Sequence, residues 1–400
     1  MKSALEVLRE FFVMGLTAFG GPTAHVAFFR DRFVGVKKWL SDSDFADLLA
    51  LCQFLPGPAS SQLGLCIGWR RAGLPGALAA WTAFTLPSAL ALTIFAVILL
   101  NFGGEGIDGS AGWLRGLQIA VVAVIAKAVV SMWSTLCPDK SRQLMALVAA
   151  GVILSTGPAW MQIVVIVVGA LIGFFFLKIP EKKSVPEKGG ETTEVRTGSK
   201  TAGAVCLGLF GVLLVGLIVA SNIQTGQPLG AFSAMYRSGA LVFGGGHVVL
   251  PLLSEEVVNP GWVSREEFLA GYGAAQAVPG PLFTFSSFLG AMIEGPGGPW
   301  LMSLIALIGI FLPAWLLVLG VMPFWTEVVK KPGLRRALAG TNAAVVGILG
   351  AALYDPVWTG AIESGTDVVF LIGVAAALLV LKLPSWLVVI LAGVCAELVS

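Results

Sequence analysis

Gln53-Phe54-Leu55-Pro56-Gly57-Pro58 stands inside one apolar stretch, and Gln276-Ala277-Val278-Pro279-Gly280-Pro281 stands inside another. A helix does not pass unbroken through Pro-Gly-Pro, because the prolines remove backbone donors and the glycine favours a turn. In hydrocarbon such a break is tolerated only where protein or a watery cavity receives the freed N–H and C=O groups. One break alone reads as a kink between packed helices. The same break at matching places in two halves points instead to a transporter's binding site.

The surroundings fix the class. The chain has 400 residues, 56% hydrophobic and 12% charged, where soluble domains carry roughly 25% charge. With a mean hydropathy of +0.88, it has too few charges to clothe a soluble globule and reads as an all-α polytopic membrane protein. Five scattered cysteines (Cys52, Cys66, Cys137, Cys206, Cys395) and two histidines support neither a disulfide framework nor a metal cage. Gly198-Ser199-Lys200 lacks the upstream glycine of a phosphate loop, and no Gly-x-Ser-x-Gly elbow occurs. The expectation is therefore no enzyme, no cofactor, no metal and no nucleic-acid partner. The N-terminus has no small-residue cleavage site, so no removable signal peptide is expected.

Outward from the breaks, the second half repeats the first. Phe243-Gly244-Gly245 repeats Phe19-Gly20-Gly21, and Trp262-Val263-Ser264 with Phe268 repeats Trp39-Leu40-Ser41 with Phe45. Phe311-Leu312-Pro313 falls at Thr85-Leu86-Pro87, and Gly340 with Ala344-Val345-Val346 falls at Gly116 with Ala120-Val121-Val122. Ser41-x-x-Asp44 is an acidic variant of a capping box. Between the copies, nine of the twenty residues 181–200 are charged, which reads as a solvated linker. The expected organisation is a repeat at 1–180, a charged cytoplasmic linker at 181–202, an unpaired transmembrane helix at 203–222 and a second repeat at 223–400.

Charge orients the copies. Arg30, Arg32, Lys37 and Lys38 make the loop after the first Phe-Gly-Gly stretch basic, whereas Glu255, Glu256, Glu266 and Glu267 make its counterpart acidic. Glu105 and Asp108 in the first half stand against Lys330, Lys331, Arg335 and Arg336 in the second. Basic short loops stay cytoplasmic, so the halves form an inverted-topology tandem repeat. The N-terminus is then cytoplasmic and the C-terminus external, with residues 255–267 and 355–367 outside. Each broken segment has like charges on both flanks, as a re-entrant hairpin would, and a kinked crossing is the alternative.

A sheltered break leaves a half-helix with free N–H groups at its start, a partial positive charge that suits an anion. Pro56, Gly57, Pro58, Pro279, Gly280 and Pro281, with Gly20, Gly21, Gly244 and Gly245, are the candidate substrate-binding positions, the glycines offering backbone N–H groups, and Gln53 and Gln276 add neutral amides. Lys127, far from either end of its stretch, either attracts an anion or snorkels to an internal carbonyl. Its repeat partner is Ala351. Arg237 reads as interfacial. His25 and His247 follow the two glycine clusters and either couple protons or pack as neutral residues.

These residues carry a resemblance. Phe19-Gly20-Gly21-Pro22, Trp39-Leu40-Ser41, Phe45, Gln53 to Pro58 and their second copies, Phe243 to Gly246, Trp262-Val263-Ser264, Phe268 and Gln276 to Pro281, resemble the two-domain chromate ion transporters of bacteria. The resemblance implies export of chromate from the cytoplasm across a bacterial inner membrane, driven by the proton motive force and giving chromate resistance. Sulfate is a near-isostere. A homodimer is compatible with the pattern, and the competing readings are a non-transporting scaffold or sensor and an oxyanion uptake carrier.

Overall fold

The computed structural model describes residues 2–102, 112–156, 160–178, 198–220, 227–243, 245–328 and 331–399. Nearly all of the charged linker, and Gly244, Glu105, Asp108 and Lys330 among the residues singled out above, lie outside them. The first half contains α1 (Lys2–Thr17), α2 (Gly21–Arg30), α3 (Asp42–Phe54), α4 (Ala59–Phe102), α5 (Gly112–Leu136), α6 (Lys140–Thr156) and α7 (Trp160–Phe176). After the separate α8 (Lys200–Ala220), the second half contains α9 (Gln227–Leu241), α10 (Val249–Val257), α11 (Arg265–Ala277), α12 (Phe285–Met292) and α13 (Gly298–Val321). It closes with α14 (Trp325–Val328), α15 (Pro332–Ala352), α16 (Thr359–Ala361), α17 (Gly365–Leu379) and α18 (Ser385–Val399).

Among the described residues, five helical runs are long and apolar enough to cross a membrane: Ala59–Asn101, Gly112–Leu136, Lys200–Val219, Gly298–Phe324 and Pro332–Ala361. The chain is an all-α polytopic membrane protein. The first of these runs is two helices, because Ala72 and Gly73 leave helical geometry after Arg70-Arg71.

Around the breaks the helices are short and come in hairpins. In α3 and α4, Asp44 meets Arg70 at 3.0 Å, and the Cys52 and Cys66 thiols lie 3.8 Å apart, so the chain turns back on itself at Pro56-Gly57-Pro58. In the second half Phe268 of α11 packs on Phe285 of α12 at 5.2 Å, with Pro279-Gly280-Pro281 at the turn. Ser41 and Ser264 start the leading arms with full reciprocal capping boxes, so the Asp44 variant works as the glutamate form does.

The Phe-Gly-Gly breaks also make hairpins. Residues 5–29 form one apolar run interrupted at Phe19-Gly20-Gly21, yet Glu10 of α1 meets Arg32 beyond α2 at 2.6 Å and Lys37 at 2.7 Å. A nearly buried carboxylate on an apolar helix requires such partners, and they bring the second arm back beside the first. The counterpart pair is Arg237 of α9 with Glu256 of α10, so Arg237 is an ion-paired tie between hairpin arms. The sign on each arm is exchanged between the halves.

Small residues set the remaining crossings. A Cβ on Gly15 would stand 2.7 Å from the Ala83 carbonyl of α4, and one on Gly239 would stand 2.2 Å from the Ile310 carbonyl of α13, so α1 rides on α4 as α9 rides on α13. The halves also exchange helices. Gly116 of α5 seats against the Ala392 carbonyl of α18, while Gly340 of α15 seats against the Gly169 carbonyl of α7. Neither half has a complete core without the other.

The Gly239 crossing gives a direct test. Gly239→Leu must push α9 off α13, an overpacking cost of about 1–3 kcal/mol, whereas Gly208→Leu on α8 enters open space. Thermal unfolding in detergent should show a clear drop for the first and none for the second. Equal melting of the two variants would contradict the packing.

Candidate functional site at the meeting of the broken hairpins

The backbone donors of the two Pro-Gly-Pro turns cross between the halves. Gly57 N–H donates to the Val242 carbonyl at 2.7 Å, and Gly280 N–H donates to the Ala18 carbonyl at 3.0 Å. Ala18 and Val242 hold equivalent places, each just before a Phe-Gly-Gly break. Each Pro-Gly-Pro tip of one half is therefore bonded to a Phe-Gly-Gly tip of the other. The two Phe-Gly-Gly tips touch as well, since a Cβ on Gly246 would lie 3.4 Å from Cγ of Pro22. All four breaks converge.

Why glycine stands at the tips follows from geometry. Gly57 has φ +118° and Gly280 has φ +103°, values that L side chains rarely adopt. Space is closed too: a Cβ on Gly57 would stand 2.9 Å from Nε2 of Gln62 and 3.4 Å from Ala314, and one on Gly280 would stand 2.8 Å from Oγ of Ser88. Ser88 and Ala314 each follow the mid-helix proline, Pro87 in α4 and Pro313 in α13, so each tip rests on the proline-bearing helix of the opposite half.

The freed groups are satisfied unevenly. Gln62 donates to the Pro56 carbonyl at 2.8 Å, and Thr284 donates its hydroxyl to the Pro281 carbonyl at 2.7 Å. His25, fully buried, places Nε2 3.1 Å from the Ala18 carbonyl and Nδ1 3.3 Å from the Ser60 hydroxyl. His247 places Nδ1 2.8 Å from the hydroxyl of the buried Tyr272. Gln276 stands one turn beyond Tyr272 on α11, and its Nε2 is buried without a hydrogen-bond partner among the described residues, as are Ser61 Oγ, Thr85 Oγ1, Ser286 Oγ and Ser287 Oγ.

The candidates from sequence thus separate. Gly20, Gly21, Gly245, Pro56, Gly57, Pro58, Pro279, Gly280, Pro281 and His25 belong to the tips, and His247 with Gln276 flanks them. Gln53 is exposed where Gln276 is half-buried, so the two glutamines are not equivalent. Lys127 is half-buried on the same face of α5 as Ala120, Ala123 and Val124, and it makes no ion pair among the described residues. Gln62, Ser60, Ser88, Tyr272 and Thr284 were not singled out. The available signal for Gln62, Ser60, Tyr272 and Thr284 is polarity within two to eight residues of a break in apolar sequence, and for Ser88 its place directly after the mid-helix Pro87.

Away from the tips, a cavity of about 250 Å³ is lined by Gln162, Glu255, Asn259, Arg265 and Asp355. Burial raises the Glu255 carboxyl above its ordinary range. Hydrogen bonds from Gln162 and Asn259 oppose that rise, and Glu256 and Asp355 add to it.

Interrupted helices inside a multi-pass membrane protein are a feature of many secondary transporters. The chain belongs to the chromate transporter family, which matches residues 5–174 and 229–397. It is 29% identical over 351 residues to a chromate transport protein of Pseudomonas aeruginosa, 88% of this chain and 80% of that one. It is 26% identical over 392 residues to a chromate transport protein of Cupriavidus metallidurans, 96% of this chain and 90% of that one. An uncharacterized transporter of Bacillus subtilis is 31% identical over 123 residues, 31% of this chain and 66% of that one. No solved structure matches.

The contact between Gly280 and Ser88 can be tested as a double-mutant cycle. Gly280→Ala should destabilise the protein by about 1–3 kcal/mol through left-handed strain and overpacking. Ser88→Ala should recover only the packing share. Independent, additive effects of the two changes in thermal unfolding would show that tip and helix do not touch.

Proposed function

We propose that this protein is a secondary transporter that exports chromate, or a tetrahedral oxyanion of the same shape such as sulfate, from the cytoplasm and so confers chromate resistance. The observation that carries the reading is the convergence of four broken hairpins, where the backbone N–H groups of Gly57 and Gly280 lie at the contact between the halves. Such groups are suited to an anion because they offer partial positive charge without the desolvation cost of a buried lysine or arginine.

The two halves, 1–180 and 223–400, are taken to lie inverted in a bacterial inner membrane, N-terminus cytoplasmic and C-terminus external. Two observations support this: the tips meet, and the tie between hairpin arms is Glu10–Arg32 in one half and Arg237–Glu256 in the other. With 16 residues in α1, 10 in α2, 13 in α3 and 8 in α12, these arms fall short of the ~20 a crossing needs. They enter and leave on one face. The short relative from Bacillus subtilis, matched over about a third of this chain, is in keeping with a duplicated unit. Lys127, with no counter-ion among the described residues, supplies a positive potential along the path.

Moving one charge through 100 mV is worth about 2.3 kcal/mol, so a dianion leaving a negative-inside cell gains about 4.6 kcal/mol. Export needs no further driving force. In liposomes holding the purified protein, a potassium–valinomycin potential alone should drive chromate toward the positive side, and Lys127→Ala should slow it. Flux that answers a pH gradient but not the potential would replace this reading with electroneutral proton-coupled movement.

A further inference from the structure

The crossed bonds leave a question that the proposed function does not answer. The glycine N–H groups at the two Pro-Gly-Pro tips are already occupied, Gly57 by Val242 and Gly280 by Ala18. We propose that these two carbonyls stand in for the anion in the resting protein, and that His25 is the positioning residue that keeps the Ala18 carbonyl satisfied once the anion has taken the Gly280 N–H from it. The inference rests on the transport reading and assigns the order in which that site opens.

The exchange is chemically reasonable. A backbone N–H in an apolar interior cannot be left vacant, so with no substrate it must find an internal acceptor. A carbonyl oxygen is a neutral acceptor with partial negative charge. An oxyanion oxygen makes charge-assisted bonds roughly twice as strong, so it displaces the carbonyl. Each exchange separates a tip of one half from a tip of the other, which couples occupancy of the site to movement between the halves.

The displaced carbonyl decides which tip yields. An orphaned buried acceptor disfavours the open state by about one to two powers of ten. The Ala18 carbonyl escapes this, because His25 also reaches it at 3.1 Å. A carbonyl only accepts, so Nε2 carries the proton, and Nδ1 is left to accept from the Ser60 hydroxyl at 3.3 Å. Among the described residues no second donor meets the Val242 carbonyl; His247, the nearest counterpart in sequence, turns to Tyr272 instead. Gly280 is therefore the tip that releases first, and Gly57 holds until later. Among the described residues, the groups facing His25 are the Ala18 carbonyl, the Ser60 hydroxyl and the Phe84 ring at 5.2 Å, none of them titrating near neutral pH. That environment suits a fixed donor rather than a proton carrier.

The test compares His25→Leu with His25→Gln in chromate flux by proteoliposomes, reading the half-saturating concentration, the maximal rate and the pH profile. Leucine removes the donor; glutamine keeps an amide N–H that can reach the carbonyl and does not titrate. The expected result is a half-saturating concentration raised about ten-fold or more by leucine, most of that loss recovered by glutamine, and a pH profile of unchanged shape. Glutamine as impaired as leucine, or a collapse of maximal rate with loss of pH dependence, would overturn the inference in favour of proton transfer through His25. Leucine with unaltered half-saturation would overturn it as well. Absence of flux in the unmodified protein would instead defeat the transport reading on which the inference stands.

Discussion

The structure depends on one constraint: a backbone interrupted inside hydrocarbon must pair every N–H and C=O that the interruption frees. A soluble protein would leave these groups to water. Here Gly57 and Gly280 find partners across the molecule, at Val242 and Ala18, and that choice has consequences for the whole chain. It forces the two halves to interlock, places all four breaks together, and requires glycine at positions where φ exceeds +100° and a methyl group has no room.

The rest of the architecture serves to hold the tips in register. The open ends of the hairpins are tied by ion pairs, Glu10–Arg32 and Asp44–Arg70 in one half and Arg237–Glu256 in the other. The tips rest on the proline-bearing α4 and α13. Those helices are held in turn by the Gly15 and Gly239 crossings, and the exchange of α5 and α15 between halves closes the core. The two halves are nonetheless unlike at the centre, where His25 braces one carbonyl and the other has no such support among the described residues.

Much of this was legible in sequence because it is local. Pro-Gly-Pro and Phe-Gly-Gly announce breaks by their own backbone chemistry, Ser41 and Ser264 announce helix starts, and the duplication can be followed residue by residue. What could not be read were relations across long separations. Nothing near Gly57 indicates Val242, and nothing near Gly280 indicates Ala18, because a backbone carbonyl carries no residue signature. The hairpin at Phe19-Gly20-Gly21 is hidden for a related reason: residues 5–29 are long enough to look like one crossing, and it takes long-range contacts, Glu10 with Arg32 and Lys37 and Phe11 with Phe29, to show that the chain returns. Gln53 and Gln276 look alike in sequence yet differ in burial, since exposure depends on which neighbour covers each tip.

The central claim is that the transported oxyanion sits among the four tips. The most direct measurement is a structure of the purified protein with chromate, its chromium located by anomalous scattering. The account predicts chromium between Gly57 and Gly280, with at least one of the crossed N–H to carbonyl distances lengthened beyond hydrogen-bonding range. Chromium bound instead in the cavity beside Glu255 and Arg265, with both crossed bonds intact, would contradict it.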